Sequence, residues 1–155
     1  MGFEDFLRQE KDKRKDKPTP ANFDRLVREW QLEVKNLHDR IEKWLATEIE
    51  QELLDILRGY PYMVREPGLP EWETDIMVII FDELEIVIRP ISRFKGEHQG
   101  ELIVEAASTA RHLAQVPQAA ADGFNNWYIE RTDELVPLNE SNFKEFLQEL
   151  ISAAK

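Results

Sequence analysis

The sequence predicts an α+β fold, in which an antiparallel sheet of about four to five strands packs against a long N-terminal helix and a C-terminal helix. Three observations lead to this class. Residues 76–91 read as two apolar strands joined by a two-residue acidic break, Asp82 and Glu83. Residues 23–45 and residues 143–151 carry apolar side chains at helical spacing. This order of elements is typical of an antiparallel sheet with helices on one face.

The long N-terminal helix has the most regular pattern in the chain. Thr19 is its predicted N-cap, with Pro20 at the first helical position. Its apolar positions share one face, and they are Phe23, Leu26, Val27, Trp30, Val34, Leu37, Ile41, Trp44 and Leu45. We predict that this stripe packs on the domain's own sheet. A homodimer through the Trp30–Trp44 helix face is the alternative.

The end of this helix leaves two interpretations open. A single helix running to Arg58 would be longer than a compact domain of this size, so a break is expected near residues 46–48. Thr47 and Glu50 would then form a capping box for a second helix over the following residues. The other interpretation is that residues 54–62 enter a strand.

Proline and glycine interrupt regular secondary structure on either side of the central hairpin. Residues 59–72 contain three prolines and two glycines, and we expect them to be irregular, with at most a short edge strand around Tyr62–Arg65. Pro90 indicates an edge or a strand end. Residues 93–100 read as a polar loop, and residues 101–106 read as a third strand.

The last third of the chain contains one ambiguous segment. Ser108–Val116 is compatible with a helix or a strand, and we prefer the strand because a short connection favours a hairpin. Residues 117–126 are expected to form a loop, and Trp127–Arg131 a last strand. Asn139 is the predicted N-cap of the C-terminal helix, whose apolar face is formed by Phe143, Phe146, Leu147, Leu150 and Ile151.

Length and composition indicate one domain and are compatible with a reducing compartment. At 155 residues a single core suffices, so we assign residues 1–18 to a charged, mobile N-terminal arm and residues 19–155 to a single α+β domain. The chain has no cysteine, which excludes disulfides and thiolate metal sites. No segment has the pattern of a membrane span or a signal peptide, and we expect a cytoplasmic protein.

The charge balance narrows the classes of partner. The net charge is −11, and residues 59–90 alone carry two basic and seven acidic side chains. A field of this sign repels phosphate backbones, which makes nucleic acid an improbable partner. A basic protein partner fits the charge better than an acidic one.

No motif points to catalysis, a metal or a cofactor. His38 and Glu42 are one helical turn apart, but such pairs occur frequently by chance and a solvated pair is the simpler interpretation. The chain has no nucleophile motif and no glycine-rich phosphate loop. We therefore expect no cofactor and favour a non-enzymatic role.

Two weaker patterns define candidate sites. A glycine-bounded loop carries a cluster of basic side chains that would bind a small anionic ligand. The members of this cluster are Arg89, Arg93, Lys95 and His98. Large apolar side chains among prolines would remain partly exposed and anchor a protein partner. These side chains are Tyr60, Tyr62, Met63, Leu69 and Trp72.

These patterns support two hypotheses. The first is a small acidic protein-interaction module, of an adaptor, immunity or chaperone type, that binds a protein partner. The alternative is a binding or enzymatic domain that uses the Arg89–His98 loop to hold a small anionic ligand.

Overall fold

The computed structural model describes residues 2–7, 18–94, 100–107, 109–115, 127–132 and 134–154. The helices are α1 (residues 3–7), α2 (Phe23–Trp44), α3 (Ala46–Glu50) and α4 (Glu140–Ala153). The strands are β1 (Asp55–Val64), β2 (Trp72–Phe81), β3 (Leu84–Ser92), β4 (Gly100–Ala106), β5 (Thr109–Gln115), β6 (Trp127–Glu130) and β7 (Leu135–Pro137).

The seven strands form one sheet in sequence order, and each strand runs antiparallel to its neighbours. The predicted α+β class is confirmed. The expected count of four to five strands was too low, because β1 is much longer than the short edge strand expected near residue 62 and β7 was not anticipated.

One face of the sheet, here called the inner face, forms the core. Ile79, Ile86 and Ala106 lie side by side in the register of β2, β3 and β4, and none of them is exposed to solvent. A second row across the same three strands, formed by Met77, Ile88 and Val104, is equally buried. Successive residues of a strand point to opposite faces, so these rows define the inner face.

Helices α2 and α4 pack on the inner face. The indole of Trp30 in α2 lies 5.5 Å from the ring of Trp127 and 6.5 Å from the ring of Trp72. At the far end of α2, the ring of Trp44 lies 5.8 Å from the ring of Phe143 in α4. The predicted packing of the α2 stripe on the domain's own sheet is confirmed, since Trp30 is completely buried. A homodimer would therefore have to use another surface.

The central and C-terminal elements follow the sequence predictions. The hairpin of β2 and β3 turns at Asp82, whose φ of 52° lies in the left-handed region. The ambiguous segment from Ser108 is a strand over its described part, β5. Asn139 caps α4, because its side-chain oxygen accepts a hydrogen bond of 2.8 Å from the backbone nitrogen of Asn142.

One detail of α2 differs from prediction, and another is close to it. The helix begins at Phe23, because Thr19 closes a separate turn in which its hydroxyl and backbone bond to Asn22. The break falls at Leu45, close to the expected position.

Of the two interpretations left open for the segment after this break, the second helix is wrong. Helix α3 ends at Glu50, no side chain caps its N-terminus, and Asp55 already begins β1. The expected capping box of Thr47 and Glu50 is therefore not formed. The remaining interpretation, in which residues 54–62 enter a strand, is the one that the structure supports.

None of the described helices is both long and apolar enough to cross a membrane. The predicted division into an arm of residues 1–18 and a domain of residues 19–155 stays a prediction, since residues 8–17 lie outside the described ranges.

Candidate interaction surface

The face of the sheet opposite α2 and α4, here called the outer face, is unusually apolar. Leu57, Val78 and Val87 lie side by side across β1, β2 and β3. Leu57 is 36% exposed, and the two valines are half-buried. An antiparallel sheet covered on one side normally carries polar side chains on the other. This row therefore departs from the expected alternation.

Further aliphatic side chains extend the row into a patch. Ile80 follows Val78 by two residues on β2, and Ile103 precedes Glu105, the β4 neighbour of Val87, by two residues. Both isoleucines are half-buried. We call Leu57, Val78, Ile80, Val87 and Ile103 the outer patch. Contiguous apolar area of this kind on a protein surface commonly marks an interaction site.

Arg89 borders the outer patch and is held in place by two neighbours. Its Nε donates a hydrogen bond of 2.6 Å to the carboxylate of Glu105 on β4. Its guanidinium also donates a bond of 3.1 Å to the Tyr62 hydroxyl and lies 5.8 Å from the centre of that ring. Partial burial disfavours the charge, but the bond to Glu105 stabilises it and the pKa of Arg89 is raised overall. Arg89 is thus a fixed cation.

The contact between Arg89 and Tyr62 joins the two sites that the sequence suggested separately. Arg89 belonged to the candidate anion site, and Tyr62 to the candidate partner site. Both line an open cavity of about 540 Å³ together with Met63 and Ile91. Because Tyr62 and Arg89 are far apart in the chain, only the folded hairpins bring them together.

Strand β1 carries an unusual number of exposed apolar side chains. Of the large hydrophobic residues that are exposed in the described part of the chain, half fall within residues 53–63. Leu53 is 56% exposed, Tyr60 49% and Met63 43%. The expectation that Tyr60 and Met63 stay exposed is therefore confirmed, and Tyr62 is half-buried against Arg89.

Two other members of the candidate partner site lie elsewhere. The expectation that Trp72 stays partly exposed is wrong, because the side chain is only 4% exposed and its ring packs against Trp30 and Phe94. Leu69 is half-buried and packs against the same core. These two residues stabilise the turn between β1 and β2 from the inside.

Of the other members of the candidate anion site, only Arg93 lies in the described part of the chain, and it faces away from Arg89. Arg93 is only 3% exposed, and its guanidinium lies 5.8 Å from the ring centre of Trp30 and 5.4 Å from that of Phe94. Lys95 and His98 lie outside the described residues. Arg93 therefore faces Trp30 of α2 and Phe94, while Arg89 faces the outer side of the sheet.

Glu66 is a buried acid that the sequence did not single out. One of its carboxylate oxygens accepts hydrogen bonds from the Ser92 hydroxyl at 3.1 Å, the Arg93 backbone nitrogen at 3.1 Å and the Phe94 backbone nitrogen at 2.9 Å. These hydrogen bonds connect the turn after β1 to the end of β3. A lone glutamate before a Pro-Gly turn carries no signal in the sequence that distinguishes it from a solvated one.

Several exposed acids around β1 to β3 form no ion pair within the described part of the chain, whereas the arginines of these strands and their turns do. Arg58 bonds to Asp39 at 2.8 Å and to Glu42 at 3.2 Å, and Arg65 bonds to Glu71 at 3.0 Å. Exposed acids without an ion pair to another described side chain surround these strands, and they are Glu52, Asp55, Glu73, Asp75, Asp82, Glu83 and Glu85. We call these seven residues the acidic rim.

His38 and Glu42 do not converge as metal ligands. His38 is buried, and desolvation, followed by the positive charge of Arg58, lowers its pKa from 6.5 to about 4. Glu42 instead bonds to Arg58. Among the described residues, no group of three or more histidine, cysteine or acidic side chains is arranged to hold a metal ion.

Comparison with known proteins identifies no relative, since no family model, no curated protein and no solved structure matches this chain. The function is therefore inferred from the surface of the protein itself.

Proposed function

We propose that this protein is a non-enzymatic protein-interaction module of an adaptor, immunity or chaperone type. Its partner is a basic protein that contacts the outer patch. A cytoplasmic location fits this role, because a chain without cysteine suits a reducing compartment.

The single observation that carries the proposal is the outer patch. Five aliphatic side chains remain half-buried or exposed on the outer face of a sheet whose inner face already contains a complete core. Burying such side chains would gain about 25 cal/mol for each Å² of apolar surface removed from water. An apolar centre with a polar border is the usual composition of a protein interface.

The charges near the outer patch support a basic partner. The acidic rim holds seven carboxylates, and Arg58, Arg65 and Arg89 are each engaged by acids of the same chain. Opposite charges on two proteins accelerate their encounter and disfavour wrong partners. The same balance gives less support to a small anionic ligand at Arg89, whose donors already bond to Glu105 and Tyr62.

Site-specific photo-cross-linking in the native cell tests this proposal. A benzophenone amino acid would replace Leu57 or Val87 in the outer patch. Matched controls would carry it at Gln148 on α4 and at Leu32 on α2, which are exposed but lie outside the patch. We expect one protein of basic composition to cross-link at positions 57 and 87 only. Equal cross-linking at all four positions, or none at 57 and 87, would refute the proposal.

A further inference from the structure

We infer that the partner binds as an extended segment that adds a strand to the open edge of β1, with basic side chains over the acidic rim. This inference rests on the proposed function and specifies the chemistry of the partner. Strand addition is a common mode of peptide recognition, in which backbone hydrogen bonds give affinity and side chains give specificity.

The edge strand β1 is long and exposes apolar side chains, although the bulge at Gly59 and the proline at position 61 limit where it can pair. It spans ten residues, pairs with β2 on one side, and has no partner strand on the other side in the described part of the chain. Natural proteins usually keep edge strands short or place charges on them. Instead, β1 exposes Leu57, Tyr60 and Met63.

Only parts of the β1 edge can pair with an added strand. The register with β2 shifts between Leu57 and Tyr60, where Gly59 adopts a φ of 82°, and Pro61 has no backbone N–H to donate. These features divide the edge into a segment before the bulge and a segment from Tyr62 to Val64. Backbone groups of a strand point alternately to its two sides, so each segment keeps groups that face away from β2.

The second segment of the edge, from Tyr62 to Val64, lies beside the outer surface of the sheet. Tyr62 and Met63 line the open cavity that also contains Arg89 and Ile91. An added strand would place every second side chain toward this cavity and the outer patch, which favours apolar residues there. The cavity therefore extends the strand edge into a side-chain pocket.

The negative charge around β1 favours a basic segment and disfavours a second copy of this chain. A second copy would bring another net charge of −11 against the acidic rim. Glu73 and Asp75 on β2 are exposed, and Asp55 begins the edge itself. Since like charges in an interface are unfavourable, lysine or arginine at alternate positions of the partner fits this edge.

The test uses a defined probe and the whole chain of 155 residues. The probe is a fluorescent peptide of roughly nine residues that alternates lysine and valine, with blocked ends. A second peptide alternates glutamate and valine, and a third repeats the lysine-valine sequence with an N-methyl group on every backbone nitrogen, which removes the strand-pairing donors of both edges. Fluorescence anisotropy measures binding, and amide chemical shifts of the labelled protein locate it.

We expect the lysine-valine peptide to bind at least about tenfold more tightly than either control peptide, a difference of about 1.4 kcal/mol. The largest amide shifts should fall on β1, with none of comparable size on β7. Met63→Lys should weaken binding about tenfold through repulsion, whereas Gln148→Lys, the exposed control on α4, should leave it unchanged.

The outcomes separate this inference from the proposed function. Equal binding of the N-methylated peptide would overturn strand addition, and equal binding of the glutamate-valine peptide would overturn the choice of a basic segment. If no peptide binds while positions 57 and 87 still cross-link to one protein, the interaction module stands and strand addition fails. If neither experiment gives a signal, both proposals fail.

Discussion

Neighbouring residues of β3 show how differently the two faces of the sheet are used. Ile88 points to the inner face and is completely buried, whereas Val87 points to the outer face and is half-buried. Both are β-branched aliphatic residues suited to a strand, so composition alone does not separate them. The inner face stabilises the fold, and the outer face retains apolar area beyond what the core needs.

The largest expected effect distinguishes these two faces directly. Ile88→Ala removes buried methyl groups between Met77 and Val104 and should lower the free energy of unfolding by about 2–4 kcal/mol. Val87→Ala on the outer face should lower it by less than about 1 kcal/mol. Urea denaturation of both variants gives the two values. Similar losses would mean that the outer patch is part of the core.

The buried carboxylate of Glu66 should give the next largest effect. Glu66→Ala leaves the Ser92 hydroxyl and two backbone donors without their acceptor, at a cost of about 2–3 kcal/mol. Glu66→Gln should cost less, because the amide oxygen can still accept. Glu71→Ala, which breaks the exposed pair with Arg65, should change stability by less than about 1 kcal/mol in the same denaturation assay.

Buried His38 should make stability depend on pH. Its folded pKa of about 4 lies below the ordinary value of 6.5, so between these values the unfolded chain binds a proton that the folded chain does not. Unfolding free energy should therefore fall by roughly 1 kcal/mol for each pH unit from 6.5 toward 4. His38→Gln, measured by urea denaturation at several pH values, should lose most of this slope. An unchanged slope would assign it to other groups.

The ion pairs of Arg58 should affect stability less than the side chains of Ile88 and Glu66. Arg58→Gln breaks the contacts to Asp39 and Glu42 that connect β1 to α2, at a cost of about 1 kcal/mol because both acids are half-exposed. The same variant should raise the pKa of His38, since the charge of Arg58 lowers it. NMR titration of the His38 ring checks this direction, and a lower value would contradict it.

Much of the fold could be predicted because its elements have strong local patterns. The β2–β3 hairpin, α2 and α4 have the apolar periodicity of their type. Strand β1 was partly misread because Leu53, Ile56 and Leu57 stand at helical spacing, and Gly59 and Pro61 follow within the strand. The spacing resembles a helix end, and only pairing with β2 makes it a strand.

The candidate surface was less accessible to sequence reasoning. Tyr60 and Met63 were found because proline interrupts their segment, but the contact between Tyr62 and Arg89 depends on how two hairpins meet. Arg93 stands in a polar stretch of sequence, yet it packs over Trp30. The outer patch could not be separated from core residues, because both have the same composition until the helices occupy one face.

The most direct test of the account is the cross-link from position 57 to its partner in a Val87→Lys background. Val87 lies on the outer face, so the substitution should shift the melting temperature by only a few degrees, about the effect of 1 kcal/mol or less. We predict that the cross-link disappears in folded Val87→Lys protein and persists in Leu32→Lys. A cross-link of unchanged yield in Val87→Lys would contradict the claim that the outer patch binds the partner.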